Sequence, residues 1–459
     1  MNLKITSKTL IYDLLTPVNL YLNLRDEFSQ SLMLESADHH SNEQPKSFVG
    51  LHSIASFVVD KNQISITSKH ETEQISIKPD TQVISVFKEF MESFTVQDHQ
   101  KPLVKFFGHT TYDAVRYFED ITLDLTKQCS IPELSYHLFQ FIIEFDHHKK
   151  TITIHEFLID DSPSDLERLM ELIASAQTST HKFQIANLEK SNMSSDTFKE
   201  LVTKGKMHCK AGDVFQIVMS RQFSQTFKGD EFNVYRALRA INPSPYLFYF
   251  DYGDFKIFGS SPEAQLKIEN GKAILNPIAG TFKRSGEEDK DKQLANALKQ
   301  DPKENAEHNM LVDLARNDLS KHGENVTISK YKSIQYYSHV IHMVSEIQAD
   351  INPKDGLNIF ADTFPAGTLS GAPKYKAIQL IDQYENQSRG FYGGSIGYFG
   401  LDGSINQAIT IRSFLSKENT LFSQAGAGIV IDSNEEKELA EVNHKLSALK
   451  KALTLAQTF

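Results

Sequence analysis

An α+β fold with mixed antiparallel sheets and flanking helices is what this 459-residue sequence predicts. Three observations carry the expectation. Some segments alternate apolar and polar residues as half-buried strands do, and others repeat apolar residues at helical spacing. The two kinds follow one another without the regular strand–helix alternation of a TIM barrel or a doubly wound sheet. The length also exceeds the ~250–300 residues at which a single core stops growing, so two domains, or one large elaborated one, are expected. The boundary falls in the polar stretch from Glu189 to Asp196, giving residues 1–190 and 191–459, with interdigitation across it.

In the first part, SFVGLHSIASFVVD and QISITSK read as short strands separated by turns, while QVISVFKEFMESF and LERLMELIASAQTST have helical spacing. Beyond the boundary, DTFKELVTKGKMHCKAG predicts a helix ending near Gly212, and VFQIVMSRQFSQTF a strand. YLFYFDYGDFKIFGSSPE predicts a hairpin turning at Tyr252-Gly253-Asp254. FYGGSIGYFG and SINQAITIRSF predict a second around Leu401-Asp402-Gly403, since Asp-Gly is a strong turn pair. Two acidic helices complete the set, DPKENAEHNMLVDLARNDL and DSNEEKELAEVNHKLSALKKAL.

Composition narrows the function classes. Hydrophobic residues make up 40% and charged residues 23%, the profile of an ordinary globular protein. The net charge of −11 offers no footprint for a polyanion, so nucleic acid is excluded as the expected partner. Two distant cysteines, Cys129 and Cys209, build neither a disulfide framework nor a metal-binding pair. A reduced cytoplasmic setting is expected, with no membrane partner, because no signal-like run and no stretch of 18 apolar residues occurs.

Each acidic helix offers paired carboxylates. Asp301 suits an N-cap and Pro302 the first helical position, and Glu304 and Glu307 share a face at i,i+3. Glu438 and Glu441 repeat that spacing, with Lys445 one turn on. Two readings stand for these groups. Glu304 serves as a capping-box acceptor and the others form a solvated, salt-bridged face, or the four carboxylates converge on one hard cation such as Mg²⁺. In QAGAGIV, Gly426, Ala427 and Gly428 permit close approach of an anion to backbone N–H groups, unless the glycines merely make a tight turn. Arg412 ends the preceding strand and suits a carboxylate clamp, with Tyr392 on the neighbouring strand. His342 reads as structural or catalytic. GAPKYK reads as a turn entering a helix, and GGSIG sits within a strand, where an esterase elbow does not form.

Five stretches in order, PIAGTFKRSG, ENAEHNMLVDLARNDL, FPAGTLSGAPK, FYGGSIGYFG and QAGAGIV, resemble the chorismate-utilising enzyme family from roughly Gly212 to the C-terminus. The resemblance implies an anthranilate-synthase-type chorismate-binding fold and a Mg²⁺ cofactor. By motif, Glu307 and Glu441 resemble direct metal ligands, and Glu304 and Glu438 their partners holding metal-bound water. Gly280, Thr281, Thr368, Tyr392, Arg412, Gly426, Ala427, Gly428 and Lys445 resemble the chorismate shell, with Thr368 placed among the catalytic groups. Glu263 in SSPE resembles the general acid at the departing C4 hydroxyl, and His342 the histidine that assists loss of pyruvate.

Branches of the family differ at two positions. Where water-adding members carry a lysine base, this chain has Gln216, which accepts no proton at a useful pKa. Where one aminodeoxychorismate-forming type carries a nucleophilic lysine, it has Ala279. The resemblance therefore implies the carbon–oxygen lyase branch that makes anthranilate and pyruvate from chorismate and ammonia, with the aminodeoxychorismate branch as the alternative. Ammonia would come from a glutamine amidotransferase subunit, since neither cysteine lies in a nucleophile motif. Leu34, Glu35 and Ser36 resemble the tryptophan-feedback motif, and Pro243, Ser244, Pro245 and Tyr246, following Asn242, its opposite wall. L-Tryptophan is thus the expected inhibitor. One departure is Phe282, where many relatives have arginine.

Overall fold

The computed structural model describes residues 1–459 except 13–14, 37–45, 70, 161, 176–179 and 337–339, together with the side chains of 281 and 283. Among the described residues the paired strands run antiparallel, apart from an isolated parallel bridge between Asn2 and Thr95. Helices pack against the strands, so the α+β expectation holds.

Pairing crosses the middle of the chain. Ser31–Glu35 pairs with Tyr246–Asp251, which joins Phe255–Ser261 in the hairpin expected there. Lys105–Thr110 pairs with Ser395–Gly400, one arm of the second expected hairpin. Two large cores follow from this weaving, and each draws residues from both parts. One packs Phe57, Phe87 and Phe106 together with Phe360, Phe364 and Phe399. The other joins Leu20, Tyr21 and Val49 to Tyr235, Ile217 and Leu446.

Most expected elements form where the periodicity puts them. Val83–Glu92 and Leu166–Ser175 are helices, and residues 176–179, which the sequence pattern adds to the second, lie outside the described set. Ser195–Ala211 ends on Gly212 at φ +82°, the left-handed C-cap glycine tolerates. Lys374–Tyr384 follows Pro373, so GAPKYK does enter a helix.

Three readings need correcting. SFVGLHSIASFVVD is a strand, but not a short one, since it lies wholly within the 15-residue strand Lys46–Asp60. It stays continuous through a register shift between Ser53 and Ala55 beside His52 at φ +61°, a bulge that bends the strand without ending it. SINQAITIRSF stops being strand at Ile409, so Arg412 occupies a connection, at φ +49°, before the strand Ser413–Lys417. QAGAGIV is not a turn. It forms the end of strand Thr420–Ile429, with Gly426, Ala427 and Gly428 opposite Ser220, Met219 and Val218.

Candidate active site

A cavity of about 900 Å³ opens among the elements that carry the motifs. Its walls include Glu263, Gly280, His342, Thr368, Tyr392, Arg412, Gly426, Gly428 and Lys445, with Glu304, Glu307, Glu438 and Glu441 of the acidic helices. Ala427, facing the other way along the strand, is buried in the apolar core. Thr281 pairs through its backbone with His342, and its side chain lies outside the described residues.

The helix Pro302–Ser320 starts as the sequence indicates. Asp301 Oδ1 accepts the Glu304 N–H at 3.0 Å. The return arm of a capping box is missing, because the Asp301 N–H goes to the Leu298 carbonyl. Glu304 is therefore left to face the cavity. The second acidic helix, Glu435–Ala456, is capped by Asn434, whose Oδ1 accepts the Lys437 N–H at 3.1 Å. Burial, reinforced by the nearby carboxylates of Glu307 and Glu441 respectively, raises the pKa of Glu304 and of Glu307. Glu438 is raised likewise by burial, with a further push from Glu441. Among the described residues no three His, Cys, Asp or Glu side chains are already gathered as a ligand cage. Lys445 Nζ instead pairs with Glu441 at 2.8 Å, and Gln216 Nε2 donates to Glu307 at 3.1 Å. The donor chemistry fits a hard divalent cation, since carboxylate oxygens disfavoured as anions by burial and one another gain most from it.

The same cavity holds a fifth carboxyl, that of Glu263. Glu263 follows the strand Phe255–Ser261 and is 8% exposed. Burial pushes its carboxyl up to about 8, although a hydrogen bond from Thr368 Oγ1 at 3.1 Å and the charges of Lys445 and Arg412 oppose the rise. It is therefore mostly protonated at neutral pH. His342, in strand Val340–Asp350, is driven by burial, and next by Arg412, down to about 3, so its imidazole is neutral. Lys445 lines the cavity and donates to the Gly426 carbonyl at 2.8 Å. Burial works against its charge, but Glu441, Tyr392 and Glu307 outweigh that and keep it protonated. The Gly426 backbone also bonds Tyr392, so that glycine is committed to positioning two cavity side chains.

Two glycines are required by close approach. At Gly280, φ is +81°, and a Cβ would stand 2.8 Å from Leu298 Cδ1 and 3.1 Å from Glu304 Oε2. At Gly428 a Cβ would meet Gln216 Nε2 at 2.2 Å, which would dislodge the amide from Glu307.

Several cavity residues carry no sequence signal of their own. Arg284, held by Asp291 at 2.7 Å, and Lys303, His444 and Lys451 also line the walls. The motif marks Gln216 only by the base it lacks, whereas in the fold it holds Glu307. Arg389 is buried below, bonding Glu385, the Val218 carbonyl and the Leu369 carbonyl, and so joins strand Gln216–Gly229 to the Thr368 segment. Phe282 packs with Ala295, Leu298, Ile341 and Met343, which makes it part of a small apolar cluster.

The second expected site is also assembled in part. Strand pairing sets Glu35 opposite Leu247, bringing Leu34 to Ser36 beside Pro245 and Tyr246. The Glu35 carboxylate accepts from Tyr235 Oη at 2.8 Å and is clamped by Arg239 at 2.9 Å. Ser244 Oγ bonds Ser260 Oγ at 2.8 Å. Asn242, Pro243 and Ser244 also line the main cavity, so this wall serves both places.

A family model described as chorismate binding enzyme matches residues 32–451. This chain belongs to the chorismate-binding enzyme family. Relatives of this chorismate-binding enzyme include proteins named anthranilate synthase component 1. That of Acinetobacter calcoaceticus is 36% identical, with 96% of this chain and 93% of that protein covered. That of Aquifex aeolicus is 34% identical, with 98% and 94% covered. The crystal structure of anthranilate synthase component I from Streptococcus pneumoniae superposes with a TM-score of 0.79 at 28% identity, covering 96% of this chorismate-binding enzyme and 99% of that chain. A menaquinone-specific isochorismate synthase from Escherichia coli shares the fold, with a TM-score of 0.78 at 18% identity. No helix among the described residues is long and apolar enough to cross a membrane.

Proposed function

We propose that this enzyme is the chorismate-using subunit of an anthranilate synthase, converting chorismate and ammonia to anthranilate and pyruvate. One observation carries the reading: a buried, protonated Glu263 shares a cavity with Arg412, Lys445 and four glutamates, and no lysine stands at 216 or 279. That cavity offers an acid for a leaving hydroxyl and cations for carboxylates, with neither the lysine base nor the lysine nucleophile of the other branches.

In this mechanism Arg412 and Tyr392 orient the enolpyruvyl carboxylate, and Lys445 holds the strand end against them. Mg²⁺ held by Glu307 and Glu441, with Glu304 and Glu438 through water, would orient the ring carboxylate and neutralise its charge. Ammonia attacks C2 while Glu263 gives its proton to the C4 oxygen, which leaves as water. The product of that step is 2-amino-2-deoxyisochorismate. Loss of the C2 proton and of pyruvate, assisted by the neutral His342, gives the aromatic ring.

Ammonia is supplied by a glutamine amidotransferase subunit. The two thiols are poor nucleophiles: burial raises Cys129, and burial pushes Cys209 up to about 11. L-Tryptophan inhibits from the pocket of Leu34, Glu35, Ser36, Pro243, Ser244, Pro245 and Tyr246, and the enzyme works in the cytoplasm. Incubation of the purified chain with chorismate, Mg²⁺ and either ammonium or glutamine tests the proposal. Fluorescent anthranilate and pyruvate should form with ammonium alone. A 4-amino product that keeps its enolpyruvyl group would assign the aminodeoxychorismate reaction instead, and anthranilate made from glutamine would remove the separate subunit.

A further inference from the structure

A second cavity, of about 50 Å³, lies against Glu263. It shares Glu263, Thr368 and Leu311 with the main cavity and is otherwise lined by Gln265, Asn276, Ala315 and Asp318, among others. The space exceeds the ~10–15 Å³ that one water needs. Two carboxyl groups thus border one water-sized space, Glu263 on the side of the reaction and Asp318 away from it.

Gln265 supplies the second, independent observation. It is 2% exposed, and its Nε2 donates to the Thr363 carbonyl at 3.1 Å. A carbonyl only accepts, so this bond fixes which end of the amide is nitrogen. Its Oε1 then has no hydrogen-bond partner among the described residues. A buried amide oxygen left in that state costs ~1–3 kcal/mol, which a donor in the cavity would recover. The Thr363 carbonyl also accepts from Lys374 Nζ at 2.8 Å, and Lys374 donates to Asp318 Oδ2 at 3.0 Å. The polar network therefore extends from Gln265 to Asp318.

We infer that this cavity seats water which returns a proton to Glu263 in each turnover, and that Gln265 is the residue positioning that water. The inference rests on Glu263 being the acid of the proposed reaction. When the C4–O bond breaks, Glu263 loses its proton to the departing oxygen and becomes a carboxylate. The ring then fills the main cavity and screens Glu263 from water on that side, where Arg412 and Lys445 also face it. A water bonded to Gln265 Oε1 passes a proton to the carboxylate, and the proton is replaced from solvent by way of Asp318, which Lys374 holds in place. No oxidant or further reactant is needed.

Gln265→Leu removes the acceptor, and Ala315→Val narrows the cavity while leaving the Gln265 amide intact. Both are assayed with chorismate, Mg²⁺ and ammonium in H₂O and D₂O. In each, kcat should fall about 10-fold, less than the ~10²–10⁴ that a positioned acid itself supplies, because Glu263 is still present. KM for chorismate should stay unchanged and the solvent isotope effect on kcat should grow. An isotope effect equal to the parent enzyme's in whichever variants fold overturns the relay, even where kcat falls, because a packing defect alone leaves it unmoved. Glu263→Gln, run in parallel, keeps the two claims apart. Full turnover in that variant removes the acid reading itself, whereas its silence beside parental isotope effects removes only the relay.

Discussion

Glu263 holds its proton at neutral pH because the loss of water around a buried carboxylate outweighs the opposing pull of Thr368, Lys445 and Arg412. The sign of the pH effect follows. With the pKa at about 8, the acid form dominates below that value and disappears above it. kcat/KM for chorismate, divided by the concentration of free ammonia, should therefore decline as pH rises through about 8. Glu263→Gln cannot donate, and its kcat should drop by ~10²–10⁴ with chorismate binding retained by equilibrium titration. A flat profile across that range would reassign the acid. Gly280 shows a different residue-level constraint, since it combines a left-handed φ with contact to Leu298 and Glu304. Gly280→Ala should lose about 1–3 kcal/mol in urea unfolding, from backbone strain and crowding together, and should raise the Mg²⁺ needed for half-maximal rate.

Elements turn such residues into a site through their ends and register. The helix Pro302–Ser320 begins at Asp301, and its first two turns carry Glu304 and Glu307, so the cap fixes where both carboxylates stand. Asp301→Ala should cost about 1 kcal/mol of stability and weaken the Mg²⁺ response more than the chorismate KM. Equal losses in both would show the cap to be general scaffolding. This helix is legible in the sequence because Asp301, Pro302 and the i,i+3 pair act locally. The same holds for both hairpins and for the Gly212 stop. What is not legible depends on residues far away in the chain. Gly426 to Gly428 look like a turn until strand Gln216–Gly229 lies beside them, and then Gly428 is seen to admit the Gln216 amide and Gly426 to offer its carbonyl to Lys445. Glu304 looks like a capping-box acceptor until Leu298 takes the Asp301 N–H. The Gln265–Thr363–Lys374–Asp318 network leaves no local signature, because its members are brought together only by packing.

Across the whole molecule, the chain's two parts are stitched where regulation is proposed. Strand Ser31–Glu35, from the first part, pairs with Tyr246–Asp251, and the segment leading into that strand, Asn242 to Ser244, is also a wall of the main cavity. Tryptophan bound beside Ser36 and chorismate bound beside Glu263 would thus press on one wall from opposite sides, so coupling needs only two positions of a single segment. Such coupling is reciprocal: the factor by which tryptophan weakens chorismate binding must equal the factor by which chorismate weakens tryptophan binding. Titrating each ligand against the other at equilibrium, with turnover prevented by omitting ammonia, should return one common factor. Ser36→Ala should move the tryptophan inhibition curve to about 10-fold higher concentration, the ~1.4 kcal/mol scale of a lost polar contact, while the uninhibited rate holds. An inhibition curve that does not move would take tryptophan away from this strand. Two unequal factors would mean that a second tryptophan site contributes.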